Sequence, residues 1–230
     1  MTFNDAVNLP DGAMGYYASA EMPDHKAAVI VLQEIFGVNA NIKRTVERFA
    51  DAGFYAVAPD LFWRQRPGVS LDPESGDDRT EAMQLAQRYG EDIARGIDDL
   101  RALVAKLRTR YQKIGVVGYC LGGRVSFVSW LNLEVDAAVS YYGVGLAPFL
   151  NGMTVPAGPL LMHMGKDDPL NPPNVQAAIA ARLGSEPQVD VRFYAGVGHA
   201  FARLGGRSYV PTAAEQADEA TDEFLHRHLA

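Results

Sequence analysis

Cysteine is almost missing from this chain, and the single residue Cys120 excludes an intrachain disulfide framework. Basic residues are in the minority: 21 lysines and arginines face 28 aspartates and glutamates, and the formal net charge of −7 argues against a nucleic-acid partner. Apolar runs such as Ala27–Leu32 are too short to span a bilayer, so no membrane segment is predicted. The first residues have neither the basic region nor the apolar stretch of a signal peptide. We therefore expect a cytoplasmic protein.

Apolar residues are plentiful, at 48% of the 230 positions, and charged residues make up 21%, which is a globular balance. No repeat or low-complexity linker divides the chain, so we expect one domain over residues 1–230. Apolar stretches alternate with amphipathic helical stretches. This pattern predicts an α/β fold with a mostly parallel central sheet and helices on both faces. In such sheets the ligand crevice lies at the carboxyl ends of the strands.

Helices are predicted between the strands. Asn39 or Asn41 could cap the first helix, and Gly90 breaks or bends a long helical stretch that follows an irregular loop over residues 59–78. Asn171 could cap a helix that runs to about residue 183, and the last helix covers about residues 212–229. The predicted strands cover residues 14–18, 27–32, 54–58, 114–118, 135–141, 159–164 and 189–194.

The stretch from Lys113 to Arg124 organises the chain, because it indicates a short strand, a tight turn carrying Cys120, and a helix. The motif Gly118-Tyr-Cys-Leu-Gly122 has the spacing of a nucleophile elbow, in which such a turn lifts a nucleophile above the sheet. A lone cysteine is most often a small buried apolar residue. The flanking glycines favour the nucleophile instead. Such a thiol needs a base, because free cysteine is mostly protonated at neutral pH.

Two later strand ends supply the partners in the order that this fold requires, nucleophile, acid, histidine. The loop Gly165-Lys-Asp-Asp-Pro169 offers Asp168 as the acid, although Asp167 is an equally acidic neighbour. The loop Gly196-Val-Gly-His-Ala-Phe201 offers His199 as the base, because this histidine alone lies in a glycine-containing loop at a strand end. The remaining histidines favour structural or solvated roles: His25 in a polar turn, His163 as a hydrogen-bonded core residue, and His226 and His228 on the last helix.

Acyl transfer also needs donors for an oxyanion. These are usually the backbone N–H that follows the nucleophile and one from the loop after the third strand. Leu121 and Ile35 occupy those positions. Their side chains are incidental to this role, because only the backbone donates.

Six stretches carry a family resemblance that runs almost from end to end. They are Gln33-Glu-Ile-Phe-Gly-Val-Asn39, Ala58-Pro-Asp-Leu61, Gly118-Tyr-Cys-Leu-Gly-Gly123, Tyr141-Tyr-Gly-Val-Gly145, His163-Met-Gly165 and Gly198-His-Ala-Phe-Ala-Arg203. Together they resemble dienelactone hydrolase (carboxymethylenebutenolidase). The pairing of the Gln-Glu-Ile-Phe-Gly loop with a cysteine elbow is highly specific to that family. The resemblance implies an α/β-hydrolase fold without a separate cap domain, a Cys120-His199-Asp168 triad, and no cofactor or metal.

The implied reaction is the ring opening of an unsaturated lactone that bears a carboxylate, through a thioester, in the bacterial breakdown of (chloro)aromatic compounds. The resemblance also implies a role for Glu34, which matches a carboxylate beside the resting, protonated thiol. Substrate binding displaces that carboxylate, which then takes the thiol proton. The plainer interpretation of Glu34 is a surface acid near a helix.

Arg79 and Arg203 match the two arginines with which the family binds the substrate carboxylate. Arginine suits this task because its planar guanidinium grips a carboxylate bidentately. Arg203 follows His199 by four residues, whereas Arg79 lies in the irregular stretch, where the match is looser.

The remaining substrate contacts are expected at Phe36, Phe62, Met83 and Tyr142. Two of them depart from the family pattern, because Met83 and Phe62 stand where familiar members carry tyrosines. The loss of two hydroxyl groups should change how the ligand is positioned, and so bears on the substrate more than on the chemistry.

The sequence therefore predicts a hydrolase of a small carboxylate-bearing lactone, which acts as a monomer. A broader esterase of small esters or lactones and a catalytically silent small-anion binder are the alternatives. A cysteine-elbow glutaminase is disfavoured, because Phe201 stands where such sites carry a glutamate two residues after the histidine. A redox thiol would lack a resolving cysteine in the same chain.

Overall fold

The structure, a computed structural model, describes residues 3–20 and 26–230, so His25 lies outside the described residues. Its strands are β1 (Asp5–Leu9), β2 (Gly12–Ala18), β3 (Ala27–Leu32), β4 (Tyr55–Pro59), β5 (Lys113–Tyr119), β6 (Ala137–Tyr141), β7 (Leu160–Gly165) and β8 (Val189–Tyr194). They form one sheet in the order β1-β2-β4-β3-β5-β6-β7-β8. Neighbours from β4 to β8 run parallel, whereas β1 pairs with β2, and β2 with β4, in the antiparallel sense.

The first strand is the one that the sequence pattern missed. β1 and β2 form a hairpin in which Leu9 pairs with Gly12 across a two-residue connection. The signal was present, because Pro10 and Asp11 followed by glycine is a turn sequence. The other seven strands lie within two residues of their predicted bounds.

The helices are α1 (Ala40–Asp51), α2 (Gly76–Glu91), α3 (Ile93–Arg108), α4 (Leu121–Asn132), α5 (Ala147–Leu150), α6 (Pro173–Leu183) and α7 (Pro211–Leu229). Asn39 caps α1, since its side chain accepts hydrogen bonds from the backbone N–H groups of Asn41 and Ile42. The predicted long helical stretch is two helices. The break falls at Asp92, whose φ of −129° and ψ of 46° are not helical, while Gly90 stays inside α2.

Asn171 does not cap α6, contrary to the prediction. The residue before α6 is Pro172, which provides no side-chain cap. Asn171 instead donates a hydrogen bond from Nδ2 to Asp168 Oδ2, at 3.0 Å. Its polar side chain therefore supports the loop after β7 rather than the helix.

Helices cover both faces of the sheet, as predicted for an α/β-hydrolase fold. Along β3, alternate residues pack to opposite sides, because side chains alternate across a strand. Ala28, Ile30 and Leu32 join the core beneath α2 and α3, whereas the residues between them join the core beneath α1 and α7. None of the described helices is long and apolar enough to cross a membrane.

Candidate active site

The turn between β5 and α4 is a tight elbow with Cys120 at its apex. Cys120 has φ 57° and ψ −111°, and its N–H donates to the carbonyl of Tyr141, at 3.0 Å. A Cβ on Gly118 would lie 1.9 Å from the carbonyl oxygen of Gly122, and one on Gly122 would lie 2.2 Å from that of Leu32. The two glycines are therefore required by close backbone approach. They let the helix start directly above the sheet with the thiol at its N-terminus.

Strained backbone is concentrated at this end of the sheet. Within the described chain, the non-glycine residues with positive φ are Cys120 (57°), Tyr142 (38°) and Ala200 (61°). They follow β5, β6 and β8, so all three lie in loops at the carboxyl ends of parallel strands. Such conformations cost about 1–3 kcal/mol each and cluster at functional sites.

Asp168 is the carboxylate that meets His199. The Nδ1 atom of His199 lies 2.9 Å from Asp168 Oδ2. The same oxygen accepts the hydrogen bond from Asn171, and Oδ1 accepts one from the N–H of Leu170, at 2.8 Å. The neighbouring Asp167 side chain is exposed to solvent. The structure thus brings Asp168 and not Asp167 to the histidine.

The loops that carry these two residues are packed against each other. A Cβ on Gly165, at the end of β7, would lie 2.6 Å from the carbonyl oxygen of Val197. The N–H of Asp167 donates to that same carbonyl, at 3.0 Å. Glycine at the strand end therefore permits the contact that sets Asp168 against His199.

The charges at the site favour an imidazolium. Burial alone would lower the pKa of His199, but hydrogen bonds and charge from Asp168 and Cys120 raise it to about 10. Burial opposes ionisation of Asp168 in the same way, yet its contact with His199 leaves its pKa below the ordinary value. An imidazolium between a carboxylate and a cysteine is the setting in which a reactive thiolate forms.

The two backbone donors predicted for an oxyanion lie on adjoining loops. The N–H groups of Ile35 and Leu121 donate no hydrogen bond to any residue in the described part of the chain. The close approach of Gly122 to the carbonyl oxygens of Leu32 and Gln33 sets the start of α4 against the loop of Ile35. Their use as an oxyanion hole stays a prediction.

Glu34 is buried, so its interpretation as a surface acid is wrong. It is 3% exposed and lies 3.4 Å, Oε2 to Nη1, from Arg203, which is itself 8% exposed. Glu34 Oε1 has no hydrogen-bond partner among the described residues. Arg203 Nη2 lies 3.9 Å from Glu74, a second carboxylate. The structure therefore pairs Glu34 with Arg203, and a carboxylate beside the Cys120 thiol, which the resemblance implies, stays a prediction.

Arg79 and Arg203 flank one aromatic ring. Their guanidinium carbons lie 5.4 Å and 5.6 Å from the centroid of Phe36, which is 2% exposed. Arg79 lies on α2 at the surface, and its Nη2 donates to the carbonyl of Pro73, at 2.9 Å. The structure thus brings together the two arginines that the sequence placed 124 residues apart.

The other expected substrate contacts are spread between surface and core. Met83 is 61% exposed and lies one turn after Arg79 on α2. Phe62 is fully buried, and its ring centroid lies 6.1 Å from that of Tyr89 in an edge-to-face contact. The core encloses Phe62, so it offers a ligand no surface. Tyr142 is also fully buried, with its ring edge-on to that of His199 at 5.2 Å.

His163 is a hydrogen-bonded core residue, as predicted. It is fully buried, with Nδ1 2.9 Å from the hydroxyl of Tyr194 and Nε2 3.0 Å from that of Thr221. Burial lowers its pKa to about 3, so it stays neutral. His226 and His228 lie on α7, as expected.

Sequence reasoning missed three residues that support the site. Asn171 orients Asp168, and Glu74 adds a carboxylate beside Arg203. Asp60 is buried and accepts hydrogen bonds from the N–H groups of Phe62 and Gly68, which shapes the loop after β4. Burial raises the pKa of Asp60 to about 6. The only sequence signal was for Asp60, within the motif Ala58-Pro-Asp-Leu61.

The family model described as "Dienelactone hydrolase family" matches residues 14–229. This span includes every candidate site residue. The chain belongs to the dienelactone hydrolase family. It is similar to the carboxymethylenebutenolidases of Pseudomonas putida and Pseudomonas knackmussii, each 40% identical over 200 residues, which cover 86% of this chain and 84% of the relative. A third, carboxymethylenebutenolidase 1 of Cupriavidus pinatubonensis, is 32% identical, with 93% and 92% of the two chains covered.

Solved structures show the same fold. A dienelactone hydrolase-like promiscuous phosphotriesterase from metagenomic libraries superposes with a TM-score of 0.77 at 21% identity, covering 98% of both chains. A serine hydrolase without a lid from Xanthomonas campestris superposes with a TM-score of 0.66 at 18% identity, covering 97% and 93% of the two chains. As a dienelactone hydrolase family member, this protein is a hydrolase that acts on ester or lactone bonds.

Proposed function

We propose that this dienelactone hydrolase family member opens a small carboxylate-bearing lactone, converting a dienelactone-type substrate to a maleylacetate-type product. The observation that carries the proposal is the pair of arginines around Phe36, one of them buried against Glu34. Two guanidinium groups on one ring, beside a cysteine elbow, suit a substrate that presents a carboxylate and an ester together. The similarity to carboxymethylenebutenolidases supports the same substrate class.

Substrate binding is the first step. The substrate carboxylate binds Arg79 and Arg203 and replaces Glu34 as the partner of Arg203. Glu34 lies 3.4 Å from Arg203 with a single contact between them, so an incoming bidentate carboxylate competes well for that guanidinium. The freed Glu34 then takes the proton of the Cys120 thiol. The S–H bond breaks, and the negative charge passes from the carboxylate to the sulfur, which pairs with His199.

Ring opening follows. The Cys120 thiolate attacks the lactone carbonyl, and the oxyanion is stabilised by the N–H groups of Ile35 and Leu121. When the tetrahedral intermediate collapses, the C–O bond of the ring breaks and a thioester remains. The released enolate takes the proton of the His199 imidazolium, so a C–H bond forms on the product and the imidazole becomes neutral. Water, activated by His199 with Asp168 behind it, then attacks the thioester and releases the product acid and the thiol.

The decisive experiment compares kcat/KM on matched lactones with and without the free carboxylate, in the wild type and in Arg79→Met and Arg203→Met variants. The wild type should prefer the carboxylate-bearing lactone, and each variant should lose about 10- to 150-fold of that preference, the range for a hydrogen bond to a charged group. Arg207→Met is the matched control, because Arg207 contacts Glu74 but not Phe36. Equal rates on both lactones in the wild type would contradict the arginine clamp.

The same panel separates the alternatives. A broader esterase of small esters would turn over neutral esters and lactones as fast as the carboxylate-bearing ones. A silent anion binder would show carboxylate binding without a burst of product from an activated aryl ester. Either result would replace the lactone proposal.

A further inference from the structure

The buried polar atoms of this site that lack hydrogen-bond partners among the described residues include the hydroxyl of Tyr142 and Oε1 of Glu34. Leaving a buried polar group unpaired is costly, so each instance in a folded protein calls for an explanation. One of these atoms is a donor that can also accept, and the other is an acceptor. They are complementary, yet they are not joined in this structure.

Tyr142 is held firmly from several sides. It is fully buried, and its ring is edge-on to His199, at 5.2 Å, and to Phe201, at 5.6 Å. Its backbone has a φ of 38°, a strained value for a tyrosine, and its N–H donates to the carbonyl of His163, at 2.7 Å. The backbone of Tyr142 is strained, its side chain is enclosed, and its hydroxyl has no hydrogen-bond partner among the described residues. This combination indicates that the hydroxyl has a role and that Tyr142 does more than fill the core.

The hydroxyl lies within electrostatic reach of the reacting groups. Burial raises the pKa of Tyr142 well above its ordinary value, the charges of Glu34, Tyr119 and Cys120 raise it further, and Arg203 opposes them. The phenol is therefore neutral and able to donate or accept a hydrogen bond in the presence of the carboxylate, the thiol and the guanidinium.

We propose that Tyr142 is a positioning residue whose hydroxyl receives Glu34 after an anionic substrate has taken Arg203. Arg203 can only donate, so it stabilises Glu34 as a carboxylate and cannot accept the O–H of a protonated carboxyl group. A tyrosine hydroxyl can do both. It donates to Oε1 while Glu34 is charged, and it accepts the carboxyl O–H once the proton has passed from Cys120 to Glu34.

This exchange conserves protons and charge. The S–H bond of Cys120 breaks, an O–H bond forms on Glu34, and Tyr142 only turns its own O–H. The inference rests on the proposed function, because it needs an anionic substrate to release Glu34 from Arg203.

The test is a double-mutant cycle with Tyr142→Phe and Glu34→Gln, assayed on a carboxylate-bearing lactone. Tyr142→Phe should lower kcat by about tenfold with KM within about twofold, the scale of one hydrogen bond to a charged group. Adding Tyr142→Phe to Glu34→Gln should change kcat by less than about twofold, because the hydroxyl acts through the carboxylate. The Tm of Tyr142→Phe should match or exceed that of the wild type, since the variant removes an unpaired buried hydroxyl.

Tyr141→Phe is the matched control, because the hydroxyl of Tyr141 is bonded to Ala217 and Asp218 on α7. It should lower Tm and show no coupling to Glu34→Gln. A raised KM with unchanged kcat in Tyr142→Phe would make Tyr142 a substrate contact and overturn the inference. If Tyr142→Phe and Glu34→Gln lowered kcat by independent factors that multiply in the double variant, the inference would also be overturned, and the proposed function would remain intact. If Glu34→Gln alone left kcat unchanged, the proposed role of Glu34 would fail, and this inference with it.

Discussion

Glu34 and Arg203 form an ion pair inside the protein, with Oε2 3.4 Å from Nη1 and side chains that are 3% and 9% exposed. A buried ion pair is weak evidence for stability, because the cost of desolvating two charges offsets most of their attraction. Arg203 also contacts Phe36, which Arg79 flanks as well, and this setting fits a charge that is exchanged during the reaction. Stability and function can therefore be separated by mutation.

Removing one partner of this pair should destabilise the fold more than removing both. Arg203→Met leaves Glu34 as an uncompensated buried charge and should lower the free energy of unfolding by about 3–5 kcal/mol. The double variant Arg203→Met with Glu34→Leu should recover most of that loss, because neither charge is then buried. Urea unfolding measures both. A double variant no more stable than the single one would show that the pair does not carry this energy.

The acid of the triad is predicted to be Asp168 and not its neighbour. Asp168→Asn should lower kcat by about 100- to 10,000-fold, because the asparagine no longer stabilises an imidazolium at His199. Asp167→Asn is the matched control and should stay within about twofold, since its side chain is exposed and the loop is held by its backbone N–H. Steady-state kinetics on one substrate decide this. Comparable losses in both variants would contradict the assignment.

Cys120 is predicted to be the nucleophile. Cys120→Ala should abolish turnover without lowering Tm by more than a few degrees, because the residue is small and 8% exposed. Cys120→Ser should be a feeble enzyme, since nothing at this site is arranged to deprotonate an alcohol. Steady-state assays measure turnover in both variants, and intact-mass detection of the thioester in the wild type tests the covalent step. Undiminished lactone turnover in Cys120→Ala would contradict the proposed mechanism.

The raised pKa of His199 predicts a pH dependence of stability. The folded protein binds a proton at His199 more tightly than the unfolded chain, whose histidine pKa is near 6.5, and the folded value is about 10. This stabilisation is fully present below pH 6.5 and is lost as the pH rises through about 10. The lowered pKa of Asp168 acts in the opposite direction: it contributes above pH 3.8 and is lost as the pH falls below that value.

The measurement compares Tm of the wild type and a His199→Asn variant, which cannot titrate at that position. The wild type should exceed the variant by more at about pH 6 than at about pH 10.5. An equal difference at both pH values would show that His199 carries no such charge in the folded protein.

The elbow should not tolerate a side chain at Gly122. A Cβ there would lie 2.2 Å from the backbone oxygen of Leu32, and backbone cannot move aside cheaply. Gly122→Ala should therefore cost about 1–3 kcal/mol or more. Gly76→Ala is the control, because nothing lies within 4 Å of a Cβ at Gly76 and its φ is ordinary. Equal stability of the two variants by thermal unfolding would contradict the close approach.

Local chemistry alone determined the elbow, the capping of α1 and the order of the candidate catalytic residues. Each of these features depends on a few adjacent residues: the glycines around Cys120, the cap at Asn39, and the loops at strand ends. The sequence alone therefore reveals them. The alternating apolar stretches determined the α/β fold in the same way, because periodicity reports which faces are buried.

The tertiary structure decided which side chains meet. Asp167 and Asp168 are chemically alike, and only the contact between the loops after β7 and β8, 31 residues apart, directs one of them to His199. Glu34 and Arg203 are 169 residues apart, so no local pattern could reveal that one is the partner of the other. Phe62 is enclosed for a related reason: its loop folds under α2, whose packing a linear pattern does not contain. The sequence by itself determines the geometry of short segments. A buried ion pair or an enclosed ring depends on which distant loops the tertiary structure brings together.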